Sequence, residues 1–218
     1  MNDSIVEFYR NYWAGGGGAR AEVDPTTPER ERLLLECLQA LPGVRDVLDA
    51  GCGGGYFLHR LRNAGYAVKG IDIAEEALTI ARARLGDDVP LLRHRLDEAP
   101  WPLPDAACDV VWSSEVIEHL FGVRAYVSEA RRVLRDGGYL VVTTPFHGRV
   151  KNLVVALFYF ERHFNNIDGG HIRFFTRRGL GDVMTQFGFE EVQFRTIGRV
   201  SPLARTMFVV YRKAGRSA

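Results

Sequence analysis

A chain of 218 residues is long enough for one well-packed α/β domain and too short for two. With 46% of residues hydrophobic and 25% charged, it is not a disordered or fibrous chain. A formal net charge of +1 gives no electrostatic ground for general grip on a polyanion, so no nucleic-acid partner is expected, a local basic patch aside. Cys37, Cys52 and Cys108 are an odd set at wide spacings without Cys-x-x-Cys, which argues against a disulfide framework or a thiolate zinc site and for a reducing cytoplasm. The opening residues lack a basic stretch leading into an apolar core, so no secretory leader is expected. The longest apolar run, Leu153 to Phe160, falls far short of the roughly 20 residues of a membrane span.

After a lead-in with a glycine run at Gly15 to Gly18, Thr27 and Pro28 predict an N-cap and first helical residue for a helix ending before Pro42. Strands and helices then alternate. The runs 45–51, 67–73, 89–94, 108–114 and 139–145 read as strands, and 56–65, 74–86 and 123–138 as helices. Strands separated by helices of such length predict a parallel sheet covered on both faces. Past Pro145 comes an irregular aromatic-rich segment, a helix over 177–188, and two β-rich runs at 189–198 and 205–214 whose short connection predicts antiparallel pairing.

The chemistry concentrates where the first strand ends, in VLDAGCGGGYF (Val47 to Phe57). Missing β-carbons at Gly51, Gly53 and Gly55 allow a tight turn and bring main-chain N–H groups against a nucleotide-like ligand at the carboxyl end of the sheet. The dinucleotide pattern G-x-G-x-x-G fails, because counting from Gly51 its last position is Tyr56. Asp49, just upstream, would repel a pyrophosphate and attract an ammonium or sulfonium group. Asp72 closes the next strand, where a carboxylate can take both hydroxyls of a ribose, and Asp97 after the third could receive an adenine amino group. A helix cap or a solvated loop acid is the ordinary reading of any one of these alone; together with the glycines they favour the cofactor reading.

VLDAGCGGGYF, GIDIAEEAL, LDEAPWPLPDAACDVVWSSEVIEHL and RVLRDGGYLVVTTP, in this order and spacing, resemble class I S-adenosylmethionine-dependent methyltransferases over roughly Val44 to Tyr211. The resemblance implies a Rossmann-like α/β fold: a seven-stranded mixed sheet, last strand antiparallel, with helices on both faces. It implies S-adenosylmethionine as cofactor, held by Asp49, Gly51, Gly53, Gly55, Asp72, Ile73, Leu96, Asp97 and Ser113, the last beside the methionine part. Tyr9, Tyr12 and Trp13 resemble an N-terminal lid, about residues 1–25, within a single domain of residues 1–218; a helix end packed on the core is the alternative.

In SSEVIEHL, a helix starting past the fourth strand would put Glu115, Glu118 and His119 at i, i+3 and i+4 on one face. Such ligands suit Mg²⁺ or Mn²⁺. The motif resembles ubiquinone-pathway O-methyltransferases and small-RNA 2′-O-methyltransferases, and the latter branch implies His171, in HIRFFT, as a fourth ligand. Without a metal, His119, His171 and Glu118 remain base or hydrogen-bonding candidates, and His147 is a further base candidate. The insertion at about 146–170 lies over the expected substrate mouth; its apolar run could enclose a substrate, bury itself on the sheet or make a homodimer contact. The leading expectation is O-methylation of a small, partly apolar hydroxylated acceptor. RNA 2′-O-methylation, metal-free N- or C-methylation, and S-adenosylmethionine binding without catalysis are the alternatives.

Overall fold

The computed structural model describes residues 3–16, 24–161, 171–199 and 202–215. The lead-in residues 17–23 and the insertion residues 162–170 lie outside the described residues. Seven strands form one sheet: β1 (Asp46–Ala50), β2 (Ala67–Asp72), β3 (Leu91–Arg93), β4 (Cys108–Ser114), β5 (Leu134–Pro145), β6 (Phe189–Ile197) and β7 (Thr206–Lys213). Their spatial order is β3-β2-β1-β4-β5-β7-β6, and β7 alone runs antiparallel, to both β5 and β6. Among the described residues the helices include α1 (Asp3–Ala14), α2 (Thr27–Ala40), α3 (Tyr56–Asn63), α4 (Glu75–Leu85), α5 (Val123–Val133), α6 (Arg149–Phe158) and α7 (Arg177–Gln186).

The inner strands read as continuous apolar runs because both faces of the sheet are covered, and the pleat sorts their residues by parity. Leu48, Val111, Leu140, Val142 and Val209 face one core with Tyr126 and Val127 of α5 and Leu180 and Met184 of α7. Val47, Val110, Trp112, Val141 and Phe208 face the other, with Leu33, Leu34, Cys37 and Leu38 of α2, Leu58 and Leu61 of α3, and Leu78 of α4.

At two helix ends the departure from the sequence expectation has a visible cause. Thr26, not Thr27, holds the capping position of α2, because Asp24 already draws in the Thr26 N–H and hydroxyl (2.8 and 2.5 Å). The helix expected over 123–138 ends at Val133. There the chain pairs Leu134 with Cys108 and makes an irregular turn through Gly137 (φ 75°) before pairing resumes at Tyr139 with Val110.

Candidate functional site

Where β1 ends, the N–H groups of Gly51 and Cys52 both donate to Ile71 O (2.8 and 3.0 Å), folding the turn back over β2. Gly51 adopts φ 91°, and a β-carbon there would lie 2.4 Å from Val116 Cγ2. At Gly53, φ 50°, it would lie 2.7 Å from the Trp13 ring. The bare main chain is thus approached by a side chain just past β4 and by the α1 indole. Gly55 serves differently: its β-carbon would press on Ala81 and Leu85 of α4 (3.1 Å each), so that glycine lets helix and turn pack.

Asp72 locks this turn. Its Oδ2 accepts the Gly53 N–H and its Oδ1 the Ala74 N–H, both at 2.9 Å. Burial raises its carboxyl above the ordinary range, and the main-chain N–H bonds pull it back. Downstream, Trp101 anchors the loop that carries Leu96 and Asp97: its ring N–H donates to Leu96 O (3.1 Å), and its main-chain N–H to buried Glu129 (2.6 Å). Asp97 faces Arg95 (3.2 and 3.3 Å).

Gly51, Gly53, Asp72, Ile73, Leu96 and Asp97 line one cavity of about 540 Å³ at the carboxyl ends of the strands. The other expected cofactor residues stand behind its wall. Asp49 is fully buried with Oδ2 unpartnered, and burial together with the Asp72 charge holds its carboxyl well above the ordinary range. Ser113 is turned into the sheet, donating to Ala50 O (3.1 Å), and the next residue, Ser114, faces the cavity instead.

The expected helix through Glu115, Glu118 and His119 does not form. Glu115 sits at φ 55°, in the left-handed region, and only a single 3₁₀ turn, Ile117–His119, follows. The three side chains therefore share no helical face. Glu118, His119 and His171 instead bring ligand atoms within 4.8 Å of one another. Glu118 O accepts the N–H groups of Ile172 and Arg173, both at 3.1 Å, while the Arg173 side chain donates to Leu120 O and Phe121 O (2.8 and 2.7 Å). This strapping sets the His171 ring 4.8 Å from that of His119. Glu118 is fully buried; Oε2 accepts from the Thr144 hydroxyl (3.0 Å) and Oε1 is unpartnered. Burial, then the Glu115 charge, pushes its carboxyl well up.

Glu115 lies outside that group. Its carboxyl hydrogen-bonds Thr143, and the charge of Arg30 opposes the upward push of burial. His147 is buried away from the cavity, its Nδ1 3.2 Å from Asn152 Oδ1 and its ring against Phe174. From α1, Tyr9 and Trp13 enter the cavity, and burial with the charges of Asp72 and Glu118 raises the Tyr9 phenol far up.

Arg30 is a charged cavity residue that sequence reasoning passed over. It is buried, donating to Ser114 Oγ (2.8 Å) and Thr27 Oγ1 (2.7 Å), with its Nε unpartnered. The available signal was its phase: three and four residues ahead of Leu33 and Leu34, it occupies the apolar stripe of α2.

The family model described as a methyltransferase domain matches residues 25–193. The chain belongs to that family, in its class I S-adenosylmethionine-dependent branch. It is 45% identical over 116 residues to the "Probable S-adenosylmethionine-dependent methyltransferase" of Mycolicibacterium smegmatis, a match covering 53% of this chain and 44% of that one. It thus spans less than half of that relative's length. Over 195 residues it is 28% identical to a ubiquinone biosynthesis O-methyltransferase of Hydrogenovibrio crunogenus, covering 85% of this chain and 78% of the other. In fold it resembles a chain from the complex between the Haloferax volcanii Trm112 methyltransferase activator and a methyltransferase, with a TM-score of 0.74 at 20% identity over 96% and 98% of the two chains.

Proposed function

We propose that the chain methylates an oxygen of a small, hydroxylated, partly apolar acceptor at the expense of S-adenosylmethionine. The observation that carries this reading is the convergence of Glu118, His119 and His171 beside a cavity whose other wall is the glycine turn and Asp72. When bound, S-adenosylmethionine supplies a methyl group on a positively charged sulfur. Asp72 keeps lone pairs for the ribose hydroxyls, Ile73 and Leu96 give the adenine apolar walls, and the positive sulfur of the bound ligand would draw Asp49, behind the turn, toward its ionised form.

A hydroxyl acceptor must lose its proton near neutral pH, and imidazole is the side chain suited to take it. His119 and His171 both line the cavity. The same pair with the orphaned Glu118 Oε1 fits a divalent ion, Mg²⁺ or Mn²⁺. Such an ion would lower the pKa of an acceptor hydroxyl. Glu115, which both branches of the resemblance share, lies outside the group, and His171, which the RNA-directed branch adds, lies inside it; the formal net charge of +1 is what sets the small-molecule reading ahead of an RNA acceptor. Incubating the protein with S-adenosylmethionine and a metabolite extract should give products one methyl heavier, and no mass shift in any fraction would reject catalysis.

Asp49→Asn should raise the melting temperature of the ligand-free chain while weakening uptake of S-adenosylmethionine. A carboxyl raised by burial adds no cost below the unfolded-state value and destabilises increasingly as pH rises through its folded value. Relief of about 1 kcal/mol is worth about 2–4 °C in a chain of this size. The gain over the parent protein should therefore shrink as pH falls, read by calorimetric scans at several pH values.

A further inference from the structure

α6 contributes no residue to the cavity or to either core. Of the ten residues of α6, Val155 alone is buried. Val150, Leu153 and Leu157, at i, i+3 and i+7, are 49–65% exposed along one face, and Phe158 and Phe160 extend the apolar surface at 73% and 60%. No α6 residue lines the cavity. A contiguous apolar surface of this kind marks an interaction site.

Charge indicates what covers it. Arg149, exposed, opens the helix, and Lys151 donates to Phe146 O (2.7 Å) and Arg205 O (3.3 Å). Arg199 and Arg205 lie close enough for their charges to act on the Lys151 ammonium. Cations thus border the amino end of a helix that carries no acid before Glu161. At about 1.5 Å per residue, α6 is half the roughly 30 Å thickness of a bilayer core, so it can lie in a membrane interface and not cross it. No described helix is long and apolar enough to span.

We infer that α6, with the exposed Arg149, Arg199 and Arg205, seats the protein on an anionic lipid bilayer, Lys151 tying the Arg205 main chain to the helix. The cations meet phosphate headgroups, while Leu153, Leu157 and Phe158 enter the acyl boundary. The seat adjoins the cavity mouth. Arg205, whose carbonyl holds Lys151, lines the cavity, and His147, which meets Asn152 of α6, packs on Phe174 of the segment that carries His171. A partly apolar acceptor dissolved in the membrane would reach the site from that side. This last point rests on the proposed activity; the docking itself does not.

The test is co-sedimentation of the full chain with vesicles of phosphatidylcholine alone and of phosphatidylcholine with about a third phosphatidylglycerol. Association is expected with the anionic vesicles, weakening as salt rises. The double variant Leu153→Glu, Leu157→Glu should cut it about tenfold or more with an unchanged melting temperature, since both side chains are exposed. Arg149→Glu with Arg199→Glu should abolish the preference for anionic lipid. Absence of vesicle binding, or binding indifferent to the leucine changes, overturns the inference. So does a dimer in the ultracentrifuge that Leu153→Glu dissociates while vesicles capture nothing.

Discussion

Asp72→Ala is expected to weaken binding of S-adenosylhomocysteine by about 100-fold or more, measured by isothermal titration calorimetry. Each hydrogen bond from a ligand hydroxyl to a carboxylate is worth about 1.5–3 kcal/mol, and a ribose offers two. A second loss adds to the first, because the same oxygens hold the Gly53 and Ala74 N–H groups and removing them frees the turn. The defect should be shared by adenosine, which keeps the ribose and lacks the amino-acid part. Acid should act in the same direction on the parent protein: the Asp72 carboxyl is raised by burial, so it takes up a proton at a higher pH than an exposed one and loses acceptor capacity as pH falls. Equal heats for Asp72→Ala and the parent protein would remove this carboxylate from recognition.

The sheet was legible because buried parallel strands must be apolar along their whole length, and the helices between them carry a stripe at helical spacing. The glycine turn with Asp72 was legible for a similar reason, since few other demands place bare main chain and a carboxylate at successive strand ends. What escaped was decided by a single residue's phase or by distant partners. Ser113 and Ser114 differ only in which side of the pleat they face, and one step along a strand exchanges cavity for core. Glu115, Glu118 and His119 have α-helical spacing, yet three positions cannot distinguish an α-helix from one 3₁₀ turn. There the left-handed Glu115 and the Ile172 and Arg173 N–H bonds to Glu118 O decide the geometry. That His171 is drawn to His119 by this strap has no local signal at all. The run Leu153 to Phe160 was visibly apolar, but apolarity does not say whether a helix turns inward or outward.

His119→Ala should lower methyl transfer by about 10²–10⁴-fold, the ordinary worth of a positioned acid–base group, while binding of S-adenosylhomocysteine is unchanged. Glu118→Gln separates the roles that His119 could play. The amide keeps the shape and can still accept from the Thr144 hydroxyl, but it lacks the charge that would hold a cation. If a metal prepares the acceptor, this variant should lose turnover to a similar degree, and chelator should silence the parent protein until Mg²⁺ or Mn²⁺ is restored. If His119 works as a plain base, Glu118→Gln should retain most activity and chelator should do nothing. Folding gives an independent readout. Burial and the Glu115 charge raise the Glu118 carboxyl, so its ionisation destabilises the ligand-free chain increasingly as pH climbs through the raised value, and the neutral amide should melt higher at neutral pH. A variant that is more stable and less active marks a carboxylate kept for chemistry at a cost to the fold. Full turnover in His119→Ala, with or without chelator, would take the reacting oxygen away from this cluster.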